Sequence, residues 1–171
     1  MRLLSMIKFA AAGALAVFMV APALKAQAAD TVLKHEDVQK LLSDKVYYKG
    51  QSATTQLRNS GGVKFADGYY VLATLVDTSG YASDVASKYQ GYFIAEVPLK
   101  IAGQSLPAGV YGIAFLAGDK FVVTDVGGHD VLSVSSITDE ALKRPVPLDV
   151  VAGPAGGFRL YAGRHYVEFS R

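Results

Sequence analysis

Tyr69-Tyr70-Val71-Leu72-Ala73-Thr74-Leu75-Val76 is the stretch on which the reading of this chain turns. It carries no charge, no glycine and no proline, and both of its alternating residue sets are mainly apolar. A strand that is apolar on both faces belongs in the middle of a fold, covered by a layer on each side. Ala66-Asp67-Gly68 turns the chain into it.

The pattern repeats in both directions. Upstream, Val46-Tyr47-Tyr48, Thr54 to Leu57 and the short Val63-Lys64-Phe65 suit strands, with Asn59-Ser60-Gly61-Gly62 between them as a turn cluster. Downstream, Tyr92 to Ile101 is a strand in which Pro98 marks an edge or a bulge. Val110 to Leu116 and Lys120 to Val126 form a hairpin around Ala117-Gly118-Asp119. Val131 to Ser135, Val146 to Val151, Phe158 to Tyr161 and Tyr166 to Phe169 complete the set. Short strands with turns every eight to twelve residues or so indicate a β-sandwich or a closed barrel. The expected fold is therefore mainly β, a small antiparallel barrel or sandwich of about eight strands.

Helix is expected in three places. Residues 29–44 read as an N-terminal helical segment, capped by Asp30 or Thr31, with Val38, Leu41 and Leu42 on one face. Ser83 starts a short helix through Val85 and Tyr89, and Thr138-Asp139-Glu140 starts one turn that reaches Lys143. Residues 45–171 make up a single β domain.

An internal similarity links two of the hairpins. Pro107-Ala108-Gly109-Val110-Tyr111-Gly112-Ile113 resembles Pro154-Ala155-Gly156-Gly157-Phe158-Arg159-Leu160, and Ala117 to Val122 resembles Ala162 to Val167. The spacing between the two blocks differs by two residues, which preserves strand alternation, so Tyr111 and Phe158 are expected to be equivalent inward anchors.

The first 28 residues have a different character. Arg2 and Lys8 precede an uncharged run from Phe9 to Leu24, broken by Gly13 and Pro22, and Ala26-Gln27-Ala28 follows. Positive start, apolar middle and small residues in that order read as a secretory signal peptide cut before Ala29. The run is too short and too broken for a membrane span. The expected location is periplasmic or secreted, with no transmembrane span in the mature chain. An outer-membrane barrel fits less well, because Tyr69 to Val76 and Val110 to Leu116 lack the alternation of lipid-facing and lumen-facing positions.

Charge and cysteine content narrow the function classes. Arg2, Lys8 and Lys25 fall in the leader, leaving fourteen bases against fifteen acids and a net charge of −1. A nucleic-acid partner, which needs a concentrated positive field, is not expected. The chain has no cysteine, which excludes thiol catalysis, zinc–thiolate sites and covalent haem attachment.

Three histidines remain. Asp125-Val126-Gly127-Gly128-His129-Asp130 is the best cluster for a His/carboxylate site, with His165 and Glu168 approaching from the final hairpin. No H-x-H or H-E-x-x-H spacing supports it, and a glycine-rich turn with Asp130 bonding backbone amides is the simpler reading. No metal and no cofactor are expected. There is no G-x-S-x-G elbow and no phosphate-cradling loop, and Asp77, Glu96 and Glu168 are the carboxylates that glycoside cleavage would have to use. Ten tyrosines are the one excess; among them Tyr69, Tyr70, Tyr92 and Tyr111 are candidates to line a ligand mouth.

The leading functional expectation is an exported non-enzymatic β domain that binds an apolar or amphipathic small molecule or an envelope protein. An extracytoplasmic enzyme built on Asp125, His129, Asp130 and His165 is the rival. A structural envelope or matrix protein assembling through strand edges is the third class.

Overall fold

The computed structural model describes residues 29–171, so the leader read in residues 1–28 lies outside the described residues. The fold is mainly β and consists of two antiparallel sheets, neither closed into a barrel among the described residues. The eight-stranded sheet contains β1 (Thr31–Leu33), β2 (Lys45–Tyr48), β3 (Gln51–Lys64), β4 (Tyr70–Val76), β5 (Gly91–Ala95), β8 (Gly109–Leu116), β9 (Lys120–Thr124) and β10 (Asp130–Ser135). The second contains β6 (Leu99–Ile101), β7 (Gln104–Leu106), β11 (Ile137–Thr138), β12 (Val146–Ala152), β13 (Phe158–Gly163) and β14 (His165–Ser170). Its order is β12-β13-β14-β6-β7, and β11 also pairs with β14. The first sheet runs β1-β3-β4-β5-β8-β9-β10, with β2 on the other half of the edge that β1 occupies. Two short helices, α1 (His35–Val38) and α2 (Ser83–Lys88), and a single 3-10 turn at Pro154–Gly156 complete the fold.

β4 lies between β3 and β5, and both of its faces are covered, as the sequence predicts. Val71 and Ala73 face the main core. On the other side Leu72 packs with Leu33 and Val38, while Val76 packs with Tyr48 and Tyr89. The main core draws on both sheets, setting Val63, Phe93, Ile113 and Phe121 of one against Ile101, Val150, Leu160 and Phe169 of the other. Glu96-Val97-Pro98 is where the chain leaves β5 in one sheet for β6 in the other. Pro98 has no N–H to leave unpaired at that crossing.

Four local expectations give way. The fold contains fourteen strands among the described residues rather than about eight, partly because Tyr92 to Ile101 divides into β5 and β6 on different sheets and partly because the short β1, β7 and β11 are added. Asn59-Ser60-Gly61-Gly62 is not a turn: β3 runs straight through it, with a register shift between Gln56 and Ser60. The glycines serve close approach. A Cβ on Gly61 would stand 2.9 Å from the main-chain nitrogen of Val150 on the other sheet, and one on Gly62 would stand 2.5 Å from the carbonyl oxygen of Val71. The N-terminal helix shrinks to one turn, because Thr31-Val32-Leu33 pairs with Gly62 to Lys64 as β1. Leu41, expected on its buried face, is exposed. Thr138 to Lys143 is not helical; Asp139 Oδ1 accepts the Ala141 N–H at 3.1 Å in a simple turn.

The repeated hairpins are β8–β9 in one sheet and β13–β14 in the other. Their outgoing strands match: Tyr111 and Ile113 enter the main core from one side, Phe158 and Leu160 from the other. The return strands do not. Phe121 is in that core where Val122 is not, whereas Val167 is in it where Tyr166 is not. Leu116 pairs with Lys120 across three intervening residues, but Ala162 pairs with His165 across two. A change of one residue in a hairpin loop exchanges the faces of the returning strand.

Candidate functional site

The turn joining β9 to β10 holds the His/carboxylate cluster. Asp125 organises it: Oδ1 accepts the N–H groups of Gly127 and His129, each at 2.9 Å, and Oδ2 lies 2.9 Å from His129 Nδ1. Gly128 N–H donates to the Asp125 carbonyl at 2.9 Å, and the Asp125 N–H donates to the His129 carbonyl at 2.9 Å. Bonding from the His129 main chain and then from its ring holds the Asp125 carboxyl below the usual carboxylate range. The backbone-binding carboxylate is thus Asp125 and not Asp130, whose two oxygens instead take Lys88 Nζ at 2.9 and 3.0 Å. The His129 side chain is 82% exposed.

His165 does not join this turn. It stands beside Thr138 at 3.1 Å and Asp119 at 3.4 Å. Glu168 pairs with Arg159, Glu96 accepts the Tyr70 N–H at 2.8 Å, and Asp77 accepts the Ser79 N–H at 3.0 Å, so each carboxylate has its own local partner. Among the described residues no three His, Asp or Glu side chains are grouped to hold a metal ion.

The four candidate tyrosines go to four surroundings. Tyr111 is in the main core and donates its O–H to the Pro107 carbonyl at 2.9 Å. Tyr92 packs on the cluster around Tyr48, Tyr70 on the cluster around Leu33, and Tyr69 is exposed. The tyrosines that do assemble are ones the sequence did not single out. Tyr48 and Tyr89 stack with centroids 3.7 Å apart, and Tyr81 meets both edge-on. Gly112 makes room, since a Cβ there would lie 2.7 Å from Tyr48 Cε2 and 2.9 Å from Tyr89 Cδ2. Thr124 donates to the Gly112 carbonyl at 3.3 Å, which leaves the Tyr48 O–H to donate to Thr124 Oγ1 at 2.7 Å. The signal available beforehand was the crowding of Tyr47, Tyr48, Tyr81 and Tyr89 before a glycine-rich strand, but their meeting depends on pairings remote in sequence.

The Tyr89 hydroxyl is buried and has no hydrogen-bond partner among the described residues. Tyr89→Phe removes an unsatisfied polar group, so stability should stay level or rise by about 1 kcal/mol in urea unfolding. A loss of about 1 kcal/mol or more would mean that the hydroxyl has a partner. Burial raises the pKa of Tyr48, Tyr81, Tyr89 and Tyr92. The unfolded chain therefore ionises first, and stability that is intact below about pH 10 declines as pH rises further.

Several strands are bonded on one side only among the described residues and so present edges to other molecules, β10, paired with β9, and β7, paired with β6, among them. An open groove of about 570 Å³ lies between β10 and β7, lined by Gln104, Lys120, Ser133, Val134 and Ser135 among others. Among the described residues no helix is long and apolar enough to cross a membrane. Comparison with protein-family models, with curated proteins and with solved structures finds no match to this chain.

Proposed function

We propose that this chain is an exported, non-enzymatic β module, a two-sheet sandwich, whose work is to bind a protein of the cell envelope through the free edge of β10. The leader pattern of residues 1–28 supports export. The observation that carries the binding reading is an outermost strand with no charge from Val131 to Ser135 and bonded on one side only. Such an edge offers main-chain donors and acceptors to an incoming strand.

A protein partner is favoured over an apolar small molecule because side chains of both sheets meet between them and the candidate tyrosines are dispersed. It is favoured over catalysis because the oxygens of Asp125 are taken up by its own turn and His165 is held elsewhere. The test is photo-cross-linking in intact cells, with Ser133 replaced by a photoreactive phenylalanine. One discrete adduct is expected, and none from the same probe at exposed Tyr69. No adduct at position 133, or equal adducts at both positions, overturns the reading.

A further inference from the structure

The inner face of the second sheet makes the core, and its outer face carries a cavity. Phe158 of β13 and Phe169 of β14 are in the main core. Successive side chains of a strand alternate faces, so Glu168 and Ser170 stand on the other side of the sheet. Lys100 of β6 pairs in register with Ser170 and shares that side. Two turns flank this patch: Ala102-Gly103, between β6 and β7, and Pro154-Ala155-Gly156, between β12 and β13. Together they bound a cavity of about 310 Å³, at the small end of the roughly 300–1,000 Å³ of ligand sites.

Alanine, glycine, proline and phenylalanine supply most of the lining. Ala102 and Ala155 hold left-handed backbones, with φ of +45° and +53°, which glycine adopts without strain. Each nevertheless keeps a methyl group at the margin of the cavity. The charges are fewer. Glu168 Oε1 accepts Arg159 Nε at 3.1 Å and Nη2 at 3.0 Å, and that guanidinium lies 4.5 Å from the centre of the Tyr166 ring. The pair is neutral as a unit. Arg171, next to Ser170, is bonded to Asp67 at 2.7 Å. Lys100 is exposed and, among the described residues, in no ion pair.

One uncompensated ammonium beside an apolar lining is the complement of one anionic group on an apolar body. The Ser170 hydroxyl, in register with Lys100, adds a hydrogen-bonding group at the same end. A phosphate, with its second charge, would ask for a further cation that the cavity does not hold. We infer that this cavity binds a small monocarboxylate, with the carboxylate on Lys100 and the hydrocarbon lodged between the two turns. The site lies on the far side of the second sheet from the core, whereas β10 belongs to the first sheet, so this is a function additional to edge binding.

Titration of the isotope-labelled protein with hexanoate, followed by NMR, tests this. Saturating shifts are expected at the amides of Ala102, Gly103 and Gly157. Hexanol keeps the hydrocarbon without the charge, acetate keeps the charge without the hydrocarbon, and hexylamine reverses the charge. Each should bind at least about tenfold more weakly than hexanoate. Lys100→Met should lose roughly tenfold or more of the hexanoate affinity, about 1.4 kcal/mol, and Lys100→Arg should keep it. Lys100 is an exposed residue, so neither substitution should move the melting temperature appreciably. Hexanoate shifts that fail to saturate, that fall elsewhere, or that survive in Lys100→Met overturn the inference. Hexanol, acetate or hexylamine binding as well as hexanoate overturns it too, because the cavity would then not be reading a charge and a hydrocarbon together. Failure here leaves the reading of the β10 edge standing, since the two rest on different strands.

Discussion

Phe158→Ala and Tyr111→Ala are each expected to cost about 3–5 kcal/mol of folding stability. The two rings are the outgoing anchors of the repeated hairpins and enter one core from opposite sheets. Phe158 lies 5.5 Å from the Phe169 ring and 6.1 Å from the Phe65 ring, so its removal leaves a void lined by aromatic carbon. Tyr111→Ala also frees the Pro107 carbonyl that its hydroxyl bonds. Tyr111→Phe separates the two contributions, since it keeps the ring and should lose only about 1 kcal/mol. Urea unfolding of the three variants is the measurement. Losses for both alanine variants within about 0.5 kcal/mol, typical of surface sites, would show that the rings do not hold the sheets together.

Gly62→Ala should be nearly as damaging, at about 3 kcal/mol, the upper end of the usual cost of overpacking. The added carbon would fall 2.5 Å from the Val71 carbonyl oxygen and 3.0 Å from Leu72 Cδ2. The first of these is main chain in the neighbouring strand β4, which is itself held by β5, so relief requires moving the ladder. Gly68→Ala is the control: an added carbon there meets nothing within 4 Å, although its φ of +96° still carries a strain cost. A Gly62→Ala variant no less stable than wild type would mean that the sheet is free to shift there.

The same two positions show what sequence can and cannot reveal. Tyr69 to Val76 declared a doubly covered strand because both of its alternating faces are apolar, and that is a property of the segment itself. Gly61-Gly62 looked like a turn because glycine pairs usually are. What decides the role of Gly61 is Val150, some ninety residues away in sequence and on the other sheet, and what decides that of Gly62 is the Val71 carbonyl of the neighbouring strand. Thr31 to Leu33 went the same way: nearby helix signals outweighed a pairing with Gly62 to Lys64 that no local pattern announces. The hairpin similarity correctly placed Tyr111 and Phe158, then failed on the return strand because one loop residue exchanged the faces.

The candidate site was less legible than the fold. Asp125, His129 and Asp130 are adjacent in sequence and remain so, but their bonding belongs to the turn and to Lys88. His165 was expected to approach them from the final hairpin, but that hairpin belongs to the other sheet and holds it beside Thr138 and Asp119. The Tyr48–Tyr89 stack brings together β2 and the residue following α2, and it needs the opening at Gly112. The edge of β10 was present as an uncharged run, yet its outermost place in the sheet follows only from the strand order.

The pairing of β6 with β14 has a consequence for how the protein comes into being. Lys100 and Ile101 find their partners at Ser170 and Phe169. During synthesis from the N-terminus, the β6–β7 hairpin emerges with its apolar side chains and must wait for about sixty further residues before the strand that shelters it exists. Closing so long a loop costs entropy before any contact repays it. The eight-stranded sheet can assemble first, but its inner face stays wet until β14 arrives. Folding should therefore be slow and late, and until the last strand arrives the greasy half-built face stands open to wrong partners.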